Sequence, residues 1–270
     1  MAEPRDHYTI AQFSDIHCGD IRFDEALMEE TIAEINSARP DLIVVAGDLT
    51  AGGYREQFEE AKRYIGMLDG PEKVIVAGNH DCRNVGFLHF EELIGPRFRT
   101  VELDFRVCCE GTTGDVQERV KILALDSNKP DLNDGEIGRD HYTWIRDTFP
   151  RREDYKIFIL HHHLVSIPGT GRERNVVWDS GDVLEKLRDA DVDLVMHGHR
   201  HVPYNWPLAN MLIVSSGTCS TWRTRGYTQP SYNIIEVWPE IVVITTKVPG
   251  GEVASRDHFH RRPRPAVTKG

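Results

Sequence analysis

Side chains that can bind metal ions follow the ends of several short apolar segments in this sequence. The turn Gly78-Asn79-His80-Asp81 comes directly after residues 73–77, an apolar run with the length and β-branched content of a buried strand. Gly78 lets the backbone turn sharply or pass close to a ligand. An amide, an imidazole and a carboxylate then follow, and open α/β sheets bind their ligands at the carboxyl ends of strands. This turn is therefore the first part of a candidate site.

Four other apolar runs end in side chains of the same types. They lead into Asp15-Ile16-His17, Gly47-Asp48, His161-His162-His163 and His197-Gly198-His199. Eight of the 13 histidines lie at or beside these five strand ends, a concentration that scattered surface histidines would not produce. Each piece is weak evidence alone, but five of them in one chain indicate a metal site.

The chemistry of these side chains points to divalent ions of intermediate hardness. Carboxylate, amide oxygen and imidazole together suit Mn, Fe or Zn. Seven candidate ligands are more than one ion needs, but they suit two ions that share a carboxylate. Two ions about 3.5–4 Å apart can clamp an in-line phosphoryl displacement and generate a hydroxide nucleophile. The residues thus predict a dinuclear site for phosphoryl chemistry.

The elements that must position these residues alternate between strand and helix in the first third of the chain. The predicted order, strand-helix-strand-helix-strand, occupies residues 7–13, 24–38, 42–46, 56–68 and 73–77. Such an order implies parallel strands joined by right-handed crossovers. The strand ends, and the side chains that follow them, are then expected to meet at one edge.

The rest of the chain is less regular. Further strands are predicted at residues 100–109, 119–125, 155–160, 192–196, 211–215, 232–237 and 241–248, and helices at 137–149 and 182–188. Residues 165–178 are expected to form a long loop beside the site. Because no repeat or linker is apparent, we predict a single domain over residues 1–249. Residues 250–270 are expected to be a polar tail that is poorly ordered or lies on the surface.

Charge and composition exclude several classes of protein. The formal net charge of −11 argues against a binder of duplex nucleic acid, so a nucleic-acid polymer is not the expected partner. No apolar run reaches the roughly 18 residues of a membrane span, and the first residues contain no apolar signal segment. The five cysteines are an odd number without zinc-finger spacing, which indicates free thiols in a reducing cytoplasm.

The ordered motifs D-x-H, G-D, G-N-H-D, H and G-H-x-H resemble those of the calcineurin-like metallophosphoesterase superfamily. The resemblance extends from residue 8 to about residue 201 and is strongest to the branch of cyclic-nucleotide and glycerophosphodiester phosphodiesterases. It implies an α+β fold (of α/β type), a four-layer α-β-β-α sandwich with two mixed β-sheets flanked by helices.

The resemblance also implies which residues hold the two ions. The first ion would be bound by Asp15, His17 and His199, the second by Asn79, His197 and one histidine of the triplet, and Asp48 would bridge both. Within the triplet, Leu164 stands where proline often follows the family's ligand, which favours His162. His161 remains the alternative, because strand alternation lets only one of two neighbours face the metals.

Two further residues are expected to act directly in the reaction. By the resemblance, His80 lies outside the metal shell, touches the phosphate and protonates the leaving oxygen or stabilises developing charge. Asp81 would orient His80, as carboxylates commonly orient functional histidines. Candidate substrate contacts are Arg172 and Arg174 in the loop after the triplet, which could pair with a phosphate, and His201.

The resulting prediction is a cytoplasmic, metal-dependent phosphoric ester hydrolase in which a metal-bridging hydroxide attacks phosphorus in line. A small phosphodiester is the favoured substrate, and this preference rests on the resemblance alone. A phosphomonoesterase or nucleotide pyrophosphatase is the alternative enzyme, and a nuclease is a further one that the acidic charge disfavours. A non-catalytic protein-binding scaffold is the alternative from another class. The sequence leaves open the metal identity and whether the protein is a homo-oligomer.

Overall fold

The first third of the chain folds as alternating strands and helices, as its apolar patterns predict. In the computed structural model, which describes residues 6–108, 115–170 and 176–263, these elements are β1 (Tyr8–Phe13), α1 (Glu25–Ala38), β2 (Leu42–Ala46), α2 (Arg55–Gly66) and β3 (Lys73–Val76). The strands β1, β2 and β3 pair in parallel. Asp24 caps α1 by accepting a hydrogen bond from the backbone N–H of Leu27 at 3.2 Å. The parallel order brings the three strand ends to one edge.

The second sheet is built from the middle of the chain. Its region contains α3 (Gly86–Leu93), β4 (Arg99–Cys108), β5 (Asp115–Ala124), α4 (Tyr142–Thr148), β6 (Tyr155–Ile159), α5 (Ser180–Asp189), β7 (Leu194–His197), β8 (Tyr204–Leu208) and β9 (Met211–Ser215). A 3-10 turn at Arg139–His141 precedes α4. The sheet order is β4-β5-β6-β7-β9-β8, with antiparallel strands only at its two edges. Sequence patterns missed α3 and β8.

The chain then returns to the first sheet. Here β10 (Tyr232–Val237), β11 (Ile241–Val248) and β12 (Glu252–His260) add antiparallel strands next to β1, which gives the order β12-β11-β10-β1-β2-β3. The expected polar tail therefore begins with an ordered edge strand, β12. The polar composition of β12 gave no strand pattern in the sequence, because an edge strand is held by backbone hydrogen bonds and needs no continuous apolar face. Residues 264–270 of that tail lie outside the described residues.

Two sheets face each other and helices cover both outer faces, which confirms the predicted four-layer sandwich. Val44 and Met196 belong to the core between the sheets. Outside it, α1, α2 and α3 pack on the first sheet, and α4 and α5 pack on the second. Successive residues of a strand therefore face the inter-sheet core and a helical layer alternately. Within the described ranges, no helix combines the length and apolarity that crossing a membrane requires.

Candidate metal centre

The backbone bends sharply where the strands end, and this brings side chains from both sheets together. Asp15, His17 and Asp48 adopt positive φ angles of 57°, 53° and 54°, and His199 and His201 have values of 79° and 58°. Residues with side chains rarely adopt this left-handed conformation, which costs energy and concentrates at functional sites. Backbone hydrogen bonds hold the bends, with the N–H of Asp15 donating to Gly47 at 2.9 Å. The bends let residues two apart, such as Asp15 and His17, reach one site.

A first group of buried side chains consists of Asp15, His17 and His201. Nε2 of His201 lies 3.4 Å from Oδ1 of Asp15 and 3.0 Å from Nε2 of His17. Nε2 of His17 lies 4.0 Å from the same carboxylate oxygen. Oδ1 of Asp15 is buried and makes no hydrogen bond within the described ranges. Three potential ligand atoms therefore converge in this group. They do not carry enough protons to form a hydrogen bond between every pair.

A second group consists of Asp48, His161 and His199, with Asn79 beside them. Nε2 of His161 lies 3.4 Å from Oδ2 of Asp48 and 3.2 Å from Oδ1 of Asn79. Nδ1 of His199 lies 3.0 Å from the same amide oxygen and 3.1 Å from Nε2 of His161. The amide N–H of Asn79 donates to Oδ1 of Asn133 at 3.3 Å, which turns the Asn79 oxygen toward the histidines.

Asp48 connects the two groups. Its Oδ2 lies 3.9 Å from Nε2 of His17 as well as 3.4 Å from Nε2 of His161. A further group, His17, Asp48 and His80, overlaps both. One carboxylate therefore borders both sets of ligand atoms.

The orientation of the imidazoles fits cation binding. Nδ1 of His201 faces the carbonyl of Arg223 at 2.6 Å, and Nδ1 of His161 faces the carbonyl of Ala46 at 2.7 Å. A carbonyl can only accept, so each Nδ1 carries the proton and each Nε2 presents a lone pair to the cluster in the neutral ring. Lone pairs that face one another at about 3 Å repel unless a proton or a metal ion lies between them. The donor set is the mixture of N and O ligands that Mn, Fe or Zn accept.

Burial and charge shift the ionisation of these residues strongly. Burial lowers the pKa of His17 to about 4. Burial also opposes a charge on Asp48, but the imidazoles of His161 and His80 hold its pKa well below the usual range. For His161 burial acts in the opposite direction, and the carboxylate of Asp48 raises its pKa to about 9. The two shifts have one cause, since the carboxylate of Asp48 and the imidazole of His161 each favour the charged form of the other.

The structure places His162, the predicted metal ligand, away from the groups of ligand atoms, although the ligand assignment itself stays a prediction. In β6, Ile159 faces the inter-sheet core while Leu160 faces the helical layer, so His161 turns toward the centre and His162 turns away. Both ring nitrogens of His162 are engaged elsewhere, Nδ1 with Oγ of Ser127 at 2.9 Å and Nε2 with the carbonyl of Asn133 at 3.2 Å. The open alternative, His161, is the residue that faces Asp48.

At the end of β7 the geometry likewise differs from the predicted grouping of the histidines. Met196 faces the inter-sheet core, so the next residue, His197, points outward, where its ring centroid lies 4.3 Å from that of His163. His199 belongs to the second group and not to the first, and His201 completes the first group. The G-H-x-H motif is therefore Gly198-His199-Arg200-His201, two residues later than predicted. The sequence contained this signal, because only that frame begins with glycine.

His80 belongs to the group that overlaps the other two, whereas the hydrogen bonds of Asp81 go to other residues. Nδ1 of His80 faces the carbonyl of Ala51 at 2.7 Å, and its ring lies edge-on to that of His17 at 4.7 Å. Asp81 instead accepts hydrogen bonds from the backbone of Gly78 and Leu49 and from the backbone and hydroxyl of Thr50. Burial, followed by the charge of Asp48, raises the pKa of Asp81 to about 7. Asp81 joins two strand-end loops, and Ala51 orients His80.

The predicted substrate residues have different outcomes. Arg172 and Arg174 lie outside the described residues, and His201 lies inside the first group. Sequence analysis did not single out Arg223, whose backbone carbonyl the structure places 2.6 Å from Nδ1 of His201. A residue in a loop gives no periodic signal, so only the fold brings Arg223 to His201.

Comparison with known proteins shows which family this chain matches. The family model described as calcineurin-like phosphoesterase matches residues 8–203. A probable cyclic nucleotide phosphodiesterase from Rhodococcus erythropolis is 25% identical over 293 residues, covering 96% of this chain and 91% of the relative. A probable glycerophosphodiester phosphodiesterase (GpdQ) from Arcobacter nitrofigilis is 25% identical over 167 residues, covering 57% and 56%.

A solved structure shares the fold. The purple acid phosphatase from yellow lupin (Lupinus luteus) seeds superposes with a TM-score of 0.71 at 13% identity, covering 96% of this chain and 55% of the phosphatase. The similarity supports the four-layer architecture.

Proposed function

Because this chain belongs to the calcineurin-like phosphoesterase family, whose members are metal-dependent phosphoester hydrolases, we propose that it hydrolyses small phosphodiesters at a dinuclear metal centre. The observation that carries the proposal is the sharing of Asp48 between two groups of buried ligand atoms. A single ion would leave one group unused, whereas two ions that share a carboxylate use both.

The residues present fit two ions. Asp15, His17 and His201 would hold one ion, Asn79, His161 and His199 the other, and Asp48 both. Bound ions of the Mn, Fe or Zn type would supply Lewis acidity at the phosphoryl oxygens and lower the pKa of a water molecule. The chain's contribution is to fix these ligands in advance through the backbone bends and the carbonyl contacts of His161 and His201.

His80 would assist the departure of the leaving alcohol. The carbonyl of Ala51 fixes Nδ1 at 2.7 Å, so the proton available for transfer is on Nε2 of the imidazolium form. His80 is only partly buried and borders His17 and Asp48, which leaves it accessible to a substrate at the centre. Protonation of the leaving oxygen by a positioned histidine contributes about 10²- to 10⁴-fold to such reactions.

The preference for diesters is supported by the relatives. Two of them, from Rhodococcus erythropolis and Arcobacter nitrofigilis, carry the name phosphodiesterase. Small diesters also suit a centre on the open edge of a sheet, where loops from both sheets can contact the two ester arms. We also propose a reducing compartment such as the cytoplasm, which the buried free thiols of Cys18, Cys82 and Cys219 support.

Metal analysis combined with paired ester substrates tests the proposal. The purified protein should bind about two ions per chain and cleave bis-p-nitrophenyl phosphate faster than p-nitrophenyl phosphate. Chelation should abolish cleavage, and Mn²⁺ or Zn²⁺ should restore it. Asp140→Asn is a surface control that should behave as wild type.

Three other outcomes would lead to different conclusions. Two ions with faster monoester cleavage would replace the diester assignment by a phosphomonoesterase. One ion with full activity would contradict the dinuclear centre. Ions without cleavage of either ester would indicate a binding scaffold.

A further inference from the structure

Three polar side chains lie side by side in the otherwise apolar core between the two sheets. Gln12 of β1, Asn233 of β10 and Thr246 of β11 are opposite one another in the first sheet. All three are buried, and the residue two positions away on each strand, such as Ile10 beside Gln12, belongs to the inter-sheet core. The hydroxyl of Thr246 donates to Oδ1 of Asn233 at 3.0 Å. Buried polar groups cost free energy unless they are hydrogen-bonded, so the two amides need further partners.

The amides of Gln12 and Asn233, called the amide pair below, find those partners in each other and in the second sheet. The amide nitrogen of Gln12 donates to the carbonyls of His197 and Val214, both at 3.2 Å. The amide nitrogen of Asn233 donates to Oε1 of Gln12 and to the carbonyl of Ser215, both at 3.1 Å. Each amide therefore uses both of its N–H groups and its oxygen. The reverse orientation of Gln12 would turn its oxygen toward two carbonyls, so the network allows one arrangement.

These hydrogen bonds join the sheets at the end of the core that is nearest the candidate centre. Gln12 lies in the first sheet, three residues before Asp15. His197 is the last residue of β7 in the second sheet, two residues before His199. The bond between Gln12 and the carbonyl of His197 thus connects the strands that lead into two of the bends that carry ligand side chains.

The position of one sheet against the other decides whether the proposed centre can form. For the first ion, Asp15 follows β1 in the first sheet and His201 follows β7 in the second. For the second ion, Asp48 follows β2 and His161 follows β6, again from different sheets. Metal–ligand distances hold to within about 0.2 Å, so a small displacement of the sheets would weaken both ion sites.

From this geometry we infer that Gln12 and Asn233 are positioning residues that set the two sheets at the separation and register that the metal centre requires. The inference rests on the proposed function, since it assigns the amide pair a role in that centre. Apolar side chains could fill the same space, because a satisfied buried amide adds little net stability. Hydrogen bonds instead fix the distance and direction between named atoms, which apolar contacts leave free to slide.

The variant Gln12→Met tests the inference, because methionine is similar in length and cannot donate to the carbonyls of His197 and Val214. Titration with Mn²⁺ or Zn²⁺ in competition with a chelator should show that both ions bind about tenfold more weakly than in the wild type. That is the lower end of the effect of residues that support metal ligands. The visible absorption spectrum of the Co²⁺-loaded variant should also differ from that of the wild type, because it reports the coordination geometry.

Two further variants separate positioning from general stability. Ile10→Val lies on the same strand and faces the same core, where it removes one methylene group and leaves the amide pair intact. It should lose stability but keep the wild-type metal affinity and Co²⁺ spectrum. Thr246→Val keeps the size of the side chain and removes only the donor to Asn233, so it covers the case in which Gln12→Met does not fold. It should weaken both ions about threefold.

The possible results lead to distinct conclusions. Wild-type affinity and an unchanged Co²⁺ spectrum in Gln12→Met would overturn the inference and leave the proposed function intact. So would an equal loss of affinity in Ile10→Val, or a loss in Gln12→Met that is confined to one ion. If Gln12→Met does not fold, unchanged affinity in Thr246→Val has the same meaning. A wild-type protein that binds no ions would instead contradict the proposed function, and the positioning role with it.

Discussion

At the scale of single residues, Asp48 connects the two halves of the centre. Its Oδ2 lies within 4 Å of a histidine from each group. We expect Asp48→Ala to weaken the binding of both ions by at least about 100-fold, because even residues that only support a metal ligand contribute 10- to 100-fold. Metal analysis after gel filtration should find far less than two ions per chain. Retention of both ions would contradict the sharing of Asp48.

His80 should affect turnover and not metal content. Its Nδ1 is fixed by Ala51, and His80, although it borders His17 and Asp48, is not in the ligand set that we propose for the two ions. His80→Ala should keep both ions and lower kcat by about 10²- to 10⁴-fold, the usual contribution of a general acid. The decrease in kcat should be smaller for substrates with a better leaving group. A variant with unchanged metal content and unchanged kcat would remove His80 from the mechanism.

The neighbours His161 and His162 provide a matched pair. His161 faces Asp48 at 3.4 Å, whereas His162 bonds to Ser127 and Asn133 on the other side of the strand. His161→Ala should reduce metal affinity by at least about 100-fold, and His162→Ala by about tenfold or less. Titration with Mn²⁺ or Zn²⁺ in competition with a chelator measures both. The reverse order would restore the assignment of His162.

At the scale of elements, one buried arginine adds to the backbone pairing that holds β12 on the first sheet. Arg261 directly follows the strand, its side chain is 4% exposed, and it forms an ion pair with Glu118. It also donates to the carbonyl of Trp238 at 2.6 Å and stacks over the ring of Tyr155 at 4.7 Å. These contacts connect the edge of one sheet to the other sheet.

Removing this arginine should therefore destabilise the fold. Arg261→Ala should lower the free energy of unfolding by about 3 kcal/mol, because the largely buried Glu118 loses its ion pair with Arg261. Arg256→Ala, on the exposed face of β12, should change it by no more than about 0.5 kcal/mol. Urea denaturation followed by circular dichroism measures both variants. Equal stability of the two variants would show that β12 does not depend on Arg261.

At the scale of the whole molecule, we expect metal binding and folding stability to be coupled. The ligands come from both sheets, and only the folded chain brings them together. An ion present at 1,000 times its dissociation constant stabilises the folded state by about 4 kcal/mol, which raises Tm by roughly 10 °C for a domain of this size. Calorimetry with and without EDTA should show this difference.

The variant Asp48→Ala is the control for that measurement. It lacks the shared ligand, so its Tm should not respond to EDTA. If chelation leaves the Tm of the wild type unchanged while the ions are removed, the ligands are not coupled to folding.

The sequence determined those features that depend on neighbouring residues. Apolar runs followed by ligand side chains predicted the strand ends that carry Asp15, His17, Asp48 and Asn79. The alternating β-α-β order predicted parallel strands that meet at one edge, and the family resemblance added the two-sheet sandwich. These features are local because strand length, helix periodicity and turn residues are set within a few positions of the chain.

Only the tertiary structure decided which side of a strand each histidine faces. His161 and His162 have the same chemistry and adjacent positions, and the packing of Ile159 against the opposite sheet selects His161. Likewise, the left-handed bends at His199 and His201 place those residues in the centre, and the outward direction of His197 excludes it. The partners of Asp81 also depend on a loop that is far from it in sequence. The sequence thus provided the types of ligand. Long-range packing selected among identical side chains, because the direction of a side chain and the residues that it contacts are set only when the two sheets assemble.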